Sequence, residues 1–261
     1  MYQVIKVGGA VVEEPASLSA LLDEFVRIQE PKILVHGGGR TATRLASQLG
    51  IESRMVGGRR ITDADTLRVV TMVYAGLVNK NIVAQLQARG VKAIGLCGAD
   101  LNIVRAHRRP ITPDGIDFGF VGDVDNADGN TLQQLLAAGC TPVIAPLTHD
   151  GQGNLLNINA DTMAQTIATA LSLQTSSLNL PTEVSLTYCF ELPGVMRDPA
   201  NPTTLIPHID RQLFQTLVLD STISGGMIPK LENAFAAINA GVNHVRITSH
   251  TALTQGTIIT A

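Results

Sequence analysis

The chain has 261 residues, a formal net charge of −3, 45% hydrophobic residues, only 3% aromatic residues and no tryptophan. A chain of this length and composition can bury a globular core, whereas its charge and its few aromatics argue against a nucleic-acid-binding surface. Three isolated cysteines, at 97, 140 and 189, indicate free thiols in the cytoplasm. No membrane span is predicted, and no targeting segment is expected because the first strand begins at Tyr2.

The chain opens with a short apolar stretch that contains one lysine and ends in two glycines. Residues 4–7 predict a buried strand of a parallel sheet, with Lys6 near its carboxyl end. Open α/β sheets bind ligands at this end of their strands, and the backbone N–H groups of Gly8 and Gly9 can approach an anion closely. We interpret the stretch as a phosphate site into which Lys6 points. The alternative is a lysine at a sheet edge whose ammonium reaches solvent.

The next segments alternate helix and strand. A helix is predicted over 15–29, a strand over 32–35 and a helix over 41–49, which together indicate an α/β fold with right-handed crossovers. Segment 37–42 also fits the G-x-G-x-x-A pattern of NAD-binding proteins. However, it follows the second strand, the first strand has its own glycine pair, and no acidic residue ends a strand about 20 positions later. A group of N–H donors at a helix N-terminus, suited to phosphate or carboxylate, is the plainer interpretation.

The middle of the chain contains one unusually long apolar helix. After a hairpin-prone connection over 51–61, residues 62–89 predict a helix whose apolar side chains cover more than one face. One face can pack on the sheet while another meets a second subunit; a helix buried wholly in the core is the alternative. A strand over 93–96 follows, and residues 102–125 predict antiparallel hairpins outside the parallel sheet.

The second half continues the alternation of strands and helices. Turn-rich segments over 146–156 and 197–207 interrupt it, and the Ser- and Thr-rich segment 175–182 is the one soft domain boundary. We predict strands over 141–145 and 244–248, a strand over 183–187 that runs on through 188–190 to 193–195, and an edge strand over 256–259. Helices are predicted over 130–138, 157–173, 208–219 and 224–240.

Two lysines that lie beside glycine pairs suggest phosphoryl transfer. Lys6 precedes one pair and Lys230 follows another, at 225–226, so both can present an ammonium to the same polyphosphate. Phosphoryl transfer needs mainly in-line positioning and positive charge on the oxygens that become more negative. Asp161, at the start of a predicted helix, can hold both ammonium groups. The alternatives are a solvated Lys230 and an Asp161 that only caps its helix.

Other residues suit a small carboxylate substrate. The guanidinium of Arg60 can bind a carboxylate in a bidentate manner, and Asn157 can supply an amide to the same molecule. A surface charge is the ordinary alternative for Arg60. The sequence contains no Walker A loop, zinc-protease motif or serine-hydrolase elbow.

Five motifs, in order along nearly the whole chain, resemble those of the N-acetylglutamate kinases of the amino acid kinase family. The resemblance implies an α/β, three-layer αβα sandwich with a mainly parallel central sheet plus antiparallel hairpins. It also implies an N-terminal lobe, 1–175, for acyl-amino-acid binding and dimerisation, and a C-terminal ATP lobe, 176–261. The motifs are Lys6-Val7-Gly8-Gly9, His36-Gly37-Gly38-Gly39, Gly119-Phe120-Val121-Gly122, Asn157-Ile158-Asn159-Ala160-Asp161 and Gly225-Gly226-Met227-Ile228-Pro229-Lys230.

The resemblance further implies a reaction and its requirements. With ATP and Mg²⁺, the γ-carboxylate of N-acetyl-L-glutamate would become an acyl phosphate in arginine biosynthesis. N-succinyl-L-glutamate, or the substrate of a sibling kinase, stays open as an alternative, and a non-catalytic ligand sensor or an NAD-binding enzyme is more remote. We expect a cytoplasmic homodimer that binds neither nucleic acid nor membrane.

Matching the motifs residue by residue assigns roles in this chain. Lys6 and Lys230 match the lysines that stabilise the transferring phosphoryl group, and Asp161 matches the aspartate that organises them. No metal-ligating residue is assigned. The substrate-binding assignments are Gly38, Gly39, Arg60, Asn157 and Asn159, and the cofactor-binding assignments are Gly8, Gly9, Gly194, Met196, Ile223 and Ser224.

One segment departs from the family pattern. Relatives carry a compact Thr-Asp-x-x-Gly-Val turn after the strand that binds nucleotide. Here Thr187 is followed by the longer segment 188–193, which has no aspartate at that place. The contacts to ADP are therefore expected to differ, with Glu191 as the candidate substitute.

Overall fold

The computed structural model describes residues 1–174, 182–198, 200–225 and 227–261. A π-helical segment, Met72–Val78, joins helices α4 and α5. The helices are α1 (Gly9–Glu13), α2 (Pro15–Arg27), α3 (Gly39–Gln48), α4 (Ala64–Thr71), α5 (Asn79–Ala88), α6 (Gly129–Ala137), α7 (Ala160–Ser172), α8 (Arg211–Leu219) and α9 (Met227–Asn239). The strands are β1 (Tyr2–Val7), β2 (Lys32–His36), β3 (Met55–Val56), β4 (Arg59–Arg60), β5 (Ala93–Cys97), β6 (Val104–Arg108), β7 (Gly122–Ala127), β8 (Thr141–Ala145), β9 (Leu147–His149), β10 (Leu155–Asn157), β11 (Val184–Phe190), β12 (His208–Ile209), β13 (His244–Ser249) and β14 (Thr257–Ile259).

A mainly parallel sheet of eight strands forms the centre of the fold. Its order is β12-β14-β13-β11-β1-β2-β8-β5, and β13 with β14 is the one antiparallel pair among its described strands. The predicted three-layer α/β fold is confirmed. The prediction of an edge strand over 256–259 was wrong, because β14 lies between β13 and the two-residue β12. The predicted helix over 208–219 begins only at Arg211, where the Asp210 carboxylate caps it by accepting from the Leu213 N–H at 2.7 Å.

Apolar side chains leave the sheet alternately toward two helical layers. In β1, Val4 packs in one core cluster and Ile5 in the other, as a strand period of two requires. The cluster that contains Val4 includes residues of α6, α7, α8 and α9, and the other includes residues of α1 to α5. Lys6 therefore leaves β1 on the same face as Val4, toward α7 and α9.

The helical stretch Ala64–Ala88 is long and apolar enough to cross a membrane by length and composition alone. A core helix has the same composition, and here Val70, Val73 and Ile82 are fully buried in the cluster that packs on the sheet. Met72 and Leu77 are 53% and 60% exposed on the remaining surface of the stretch. The predicted packing of one face on the sheet is thus confirmed, and an apolar surface is left outside.

A smaller sheet of β6, β7, β9 and β10 lies outside the parallel sheet. The antiparallel β6–β7 pair confirms hairpin structure within 102–125, whereas the segment 146–156, predicted only as turns, contains the antiparallel β9–β10 pair. Isolated bridges join Thr62 to Gly119 and Val121 to Asn157. These bridges bring the loop after β6 and the end of β10 beside the entry to α4.

The division into two lobes stays a prediction. The boundary segment lies outside the described residues over 175–181. The central sheet joins both parts of the chain, because β1 pairs in parallel with β2 on one side and with β11 on the other.

Candidate active site

Three neighbouring strands end side by side at the carboxyl edge of the sheet. In register, Val7 of β1 pairs with His36 of β2 and with Cys189 of β11. Glycine loops follow β1 and β2 directly, and Phe190 ends β11. Lys6, one residue before the end of β1, thus lies at the edge where parallel sheets gather ligands.

The two glycine loops pack against each other and open two helices. Gly37 N–H donates to the Val7 carbonyl at 3.0 Å, and a Cβ added to Gly37 would stand 3.0 Å from the backbone nitrogen of Gly9. Glu13 of α1 accepts from the Thr41 N–H of α3 at 2.6 Å, which ties the helices together. Neither helix has a side chain at its N-cap that accepts a hydrogen bond. Apart from the Thr41 N–H, which donates to Glu13, the N–H groups of their first turns can therefore bind anionic oxygens.

Lys6 and Asp161 form a partly buried ion pair. The Lys6 Nζ lies 2.8 Å from Asp161 Oδ1, in a geometry that is not aligned for a hydrogen bond. Lys6 is 6% exposed, so its ammonium needs a counter-charge of this kind. Asn159 caps α7 by accepting from the Asp161 N–H at 2.7 Å, and this cap fixes the first turn of the helix that carries the carboxylate.

Lys230 reaches the same place from α9. Its ammonium lies 3.8 Å from the centre of the Phe190 ring, and that of Lys6 lies 5.1 Å from the same centre. Burial lowers the pKa of Lys230 below the ordinary 10.5 and the charge of Lys6 lowers it further, whereas Asp161 and Glu191 oppose the shift. The two lysines that are 224 positions apart in sequence therefore share one site.

Two clefts meet at the glycine loops. The first, of about 300 Å³, is lined by all five residues assigned to substrate binding. The second, of about 320 Å³, is lined by Gly8, Gly9, Lys230, Phe190 and Glu191, among others. Gly9 and Gly39 belong to the walls of both clefts, so a ligand in one lies next to a ligand in the other.

Arg60 is held rigidly in the wall of the first cleft. It is 8% exposed, and its guanidinium donates to Ser53 Oγ, the Gly39 carbonyl and Thr43 Oγ1, each at 2.9 Å. A guanidinium has five N–H donors, so these three bonds leave two donors for a ligand. The arrangement suits a carboxylate that binds beside Gly39.

Asn157 lies in the opposite wall of the first cleft. Its side-chain nitrogen donates to Thr62 Oγ1 at 3.0 Å, and its backbone N–H donates to the Phe120 carbonyl at 2.8 Å. Thr62 forms one of the two isolated bridges, and Phe120 lies between the bridge residues Gly119 and Val121. The amide oxygen of Asn157 is the atom that this arrangement leaves for a ligand N–H.

The polar cleft residues that were missed from the sequence include Arg59, Tyr74, Arg109 and Asp123. Tyr74 comes from the π-helical segment and packs so closely that a Cβ on Gly38 would stand 3.0 Å from its ring. Burial lowers the pKa of Arg59, and the nearby Arg109, which is paired with Asp123, adds to that shift. Because Asp123 also lines the cleft and offsets Arg109, Arg59 is the positive charge that is added to that of Arg60.

A buried histidine supports the second glycine loop. His36 is 0% exposed and burial lowers its pKa to about 4, so it is neutral near pH 7. Its Nδ1 lies 2.8 Å from the Gly37 carbonyl and its Nε2 lies 3.1 Å from Asn79 Nδ2. In the neutral tautomer that satisfies both contacts, Nδ1–H donates and Nε2 accepts. The ring is thus a structural support for the loop.

Four residues assigned to cofactor binding do not line the second cleft: Gly194, Met196, Ile223 and Ser224. Met196 and Ile223 are buried in the C-terminal core, and Ser224 is exposed. A Cβ on Gly194 would stand 2.5 Å from the Leu205 side chain. The cofactor-binding assignment of these four residues stays a prediction. Gly226, in the glycine pair before Lys230, lies outside the described residues.

Similarity to known proteins extends over nearly the whole chain. The sequence model of the Amino acid kinase family matches residues 1–249. Acetylglutamate kinase of Bacteroides thetaiotaomicron is 58% identical over 250 residues, which cover 96% of this chain and 94% of that protein. Acetylglutamate kinase of Methanopyrus kandleri is 40% identical over 256 residues, or 97% of each chain. The solved structure of smu.665 from Streptococcus mutans has a TM-score of 0.79 at 28% identity, covering 100% of this chain and 98% of that one.

Proposed function

The chain belongs to the amino acid kinase family, and we propose that it transfers the γ-phosphoryl group of ATP to the γ-carboxylate of N-acetyl-L-glutamate. A carboxylate oxygen forms a bond to the γ-phosphorus, the bond from that phosphorus to the β,γ-bridging oxygen breaks, and ADP leaves. The product is an acyl phosphate. The observation that carries the proposal is the meeting of Lys6, Asp161 and Lys230 where the two clefts join.

The first cleft binds the acyl amino acid. Arg60 attracts the α-carboxylate by its charge and donates to it from Nε or Nη1, the nitrogens on which its protein contacts leave an N–H. Asn157 accepts the acylamide N–H, and the N–H groups beside Gly38 and Gly39 meet the γ-carboxylate. This placement directs the γ-carboxylate toward the second cleft, since Gly39 lines both.

The second cleft binds the phosphates of ATP. The first turn of α1, beside Gly8 and Gly9, receives phosphate oxygens, since unpaired N–H groups at a helix start favour anions. Lys6 and Lys230 place positive charge on the transferring group from one side of the sheet. Loss of one such charge commonly costs about 10²–10³ in rate. Asp161 keeps the charge of Lys6 available by offsetting its burial.

Magnesium accompanies the nucleotide. Among the described residues no group of three or more metal-ligating acidic, histidine or cysteine side chains is present. This fits an ion that is held mainly by phosphate oxygens and water, as Mg²⁺ usually is in phosphoryl-transfer sites. When bound with ATP, the ion neutralises charge on the phosphates.

The wider setting of the enzyme follows from the same proposal. It acts in arginine biosynthesis, in the cytoplasm, as a homodimer. The exposed Met72 and Leu77 of the long helix support a contact between two copies. The similarity to acetylglutamate kinases does not favour N-succinyl-L-glutamate, a sibling kinase reaction, an NAD-binding enzyme or a sensor.

A hydroxamate assay that captures the acyl phosphate tests the reaction. Purified protein is incubated with ATP–Mg²⁺ and either N-acetyl- or N-succinyl-L-glutamate, and ADP release is followed in parallel. We expect equal amounts of hydroxamate and ADP with the acetyl substrate, and a loss of both in Lys230→Ala. No turnover of either substrate by the unaltered chain would overturn the kinase proposal, and turnover of the succinyl substrate alone would overturn the substrate.

A further inference from the structure

The ring of Phe190 contacts both ammonium groups of the site. Lys230 Nζ lies 3.8 Å from the ring centre and Lys6 Nζ lies 5.1 Å from it. Both distances are within the range of cation–π attraction, about 6 Å. Phe190 also lines the second cleft beside Gly8 and Gly9. The ring therefore touches the two cations at the place where the phosphates of ATP bind.

The sheet fixes the position of this ring. Lys6 of β1 pairs in register with Tyr188 of β11, and Phe190 stands two residues further along the same strand. Side chains two apart leave a strand on one face, so Lys6, Tyr188 and Phe190 share a face. The Tyr188 and Phe190 rings are nearly parallel, with centres 6.3 Å apart and planes at 11°. Tyr188 is 2% exposed and so gives Phe190 a rigid support.

The two lysines need something to hold them together before ATP arrives. Their like charges repel, and Asp161 forms its ion pair with Lys6 alone. Lys230 has no ion pair within 4 Å among the described residues, although its ammonium is half-buried. The face of an aromatic ring carries partial negative charge and attracts a cation. Unlike a carboxylate, it leaves the full positive charge of the lysine available to phosphate oxygens.

We propose that Phe190 is a positioning residue, whose ring holds the Lys230 ammonium beside that of Lys6 in the geometry that receives the γ-phosphoryl group. The inference rests on the proposed kinase function and adds a residue to it. The ring acts through the lysines and does not itself react. This role also gives a physical reason for the unusual segment 188–193, because it places an aromatic residue at the end of β11, the strand that pairs with β1 beside Lys6.

Phe190→Leu and Phe190→Tyr separate this role from simple packing. Leucine keeps an apolar side chain but removes the ring face, and tyrosine keeps the ring. We expect kcat to fall about 3- to 30-fold in the leucine variant, while the KM for N-acetyl-L-glutamate stays within twofold. The alkaline limb of kcat/KM for ATP, which reports the free enzyme, should move to lower pH by about half a unit to one unit. The Phe190→Tyr variant should have the kcat and the alkaline limb of the unaltered enzyme.

Phe25→Leu is the matched control. The ring of Phe25 lies 5.0 Å from the ammonium of Lys32, at the amino end of β2 and away from the site. The substitution therefore removes a lysine–ring contact elsewhere in the protein. We expect no movement of the alkaline limb in this variant. The positioning role would be overturned if Phe190→Leu left kcat and the pH of the alkaline limb unchanged. It would also be overturned if Phe25→Leu moved the alkaline limb by the same amount.

Fluorinated phenylalanines incorporated at position 190 provide a measurement with almost no change in shape. Successive fluorine atoms weaken the negative ring face, so one, two and three fluorines should lower kcat/KM for ATP stepwise. A series with no trend contradicts the cation–π role even if the leucine variant folds poorly. Absence of turnover in the unaltered chain would instead refute the kinase function. The failure of the positioning role and the failure of the kinase function can therefore be distinguished.

Discussion

Replacing Asp161 with asparagine removes one charge from the site without changing its volume. The Lys6 ammonium then loses the oxygen that lies 2.8 Å away as its counter-charge, while the lysine stays 6% exposed. The ammonium groups of Lys6 and Lys230, which both lie near the Phe190 ring, would then repel each other without the Asp161 carboxylate. We expect the variant to lose both stability and activity.

The burial of the pair sets the size of the effect. Breaking a fully buried ion pair costs about 3–5 kcal/mol, but the Asp161 side chain is 23% exposed, so water can partly solvate what remains. We therefore expect the free energy of unfolding to fall by about 1–3 kcal/mol. The effect on kcat should be larger, about 10²–10³-fold, because a misplaced cation no longer stabilises the transferring group.

Urea unfolding followed by circular dichroism, together with the hydroxamate assay, measures both effects. Asp65→Asn is the matched control, since Asp65 also lies in the first turn of a helix and pairs with a cation at 3.0 Å, but on the exposed surface. That variant should lose less than about 1 kcal/mol and keep full activity. An Asp161→Asn variant with kcat within threefold of the unaltered enzyme would refute the reasoning, whatever its stability.

Three further variants test other parts of the site. Arg60→Ala should raise the KM for N-acetyl-L-glutamate about 100-fold, through loss of a charge-assisted pair, with the KM for ATP within twofold; equal changes in both constants would contradict its role. Gly37→Ala should lower kcat/KM at least tenfold, because its Cβ would stand 3.0 Å from the backbone nitrogen of Gly9; wild-type kinetics in this variant would refute the close-packing argument. The rate of the unaltered enzyme should fall on the alkaline side at a pH below 10.5, because burial lowers the pKa of Lys230 and activity needs its cation. Lys230→Arg should move that limb to higher pH, since arginine stays charged, and an unmoved limb would assign it to another group.

The fold followed from local patterns wherever a segment was long enough to have a period. The βαβ start and the long helix over 62–89 were predicted because their apolar residues repeat over many positions. The hairpin within 102–125 was predicted because turn residues separate short strand-like pieces. The strand His208–Ile209 has two residues and therefore no period. Its addition beside Thr257–Ile259 depends on hydrogen bonds to a distant part of the chain, which is why the edge of the sheet was assigned wrongly.

Within the site, residues next to glycine or at strand ends could be found from the sequence. Lys6 stood out because an ammonium in an apolar strand needs a partner, and the structure provides Asp161. Phe190 and Tyr74 could not be found in this way, because each is an ordinary aromatic residue within an apolar element. The importance of Phe190 arises from strand register, and that of Tyr74 from the π-helical segment, and neither feature has a local sequence signal.

The rate of phosphoryl transfer in a Lys6→Met variant tests the central role of the paired lysines most directly. Rapid-quench single turnover with radiolabelled ATP would give the rate of acyl phosphate formation, and calorimetry would give the Kd of N-acetyl-L-glutamate. Lys32→Met is the control, because Lys32 is also a buried lysine of a neighbouring strand. We predict transfer about 10²–10³-fold slower in Lys6→Met, with an unchanged Kd and a normal rate in the control. Transfer by Lys6→Met at the wild-type rate would contradict the proposed site.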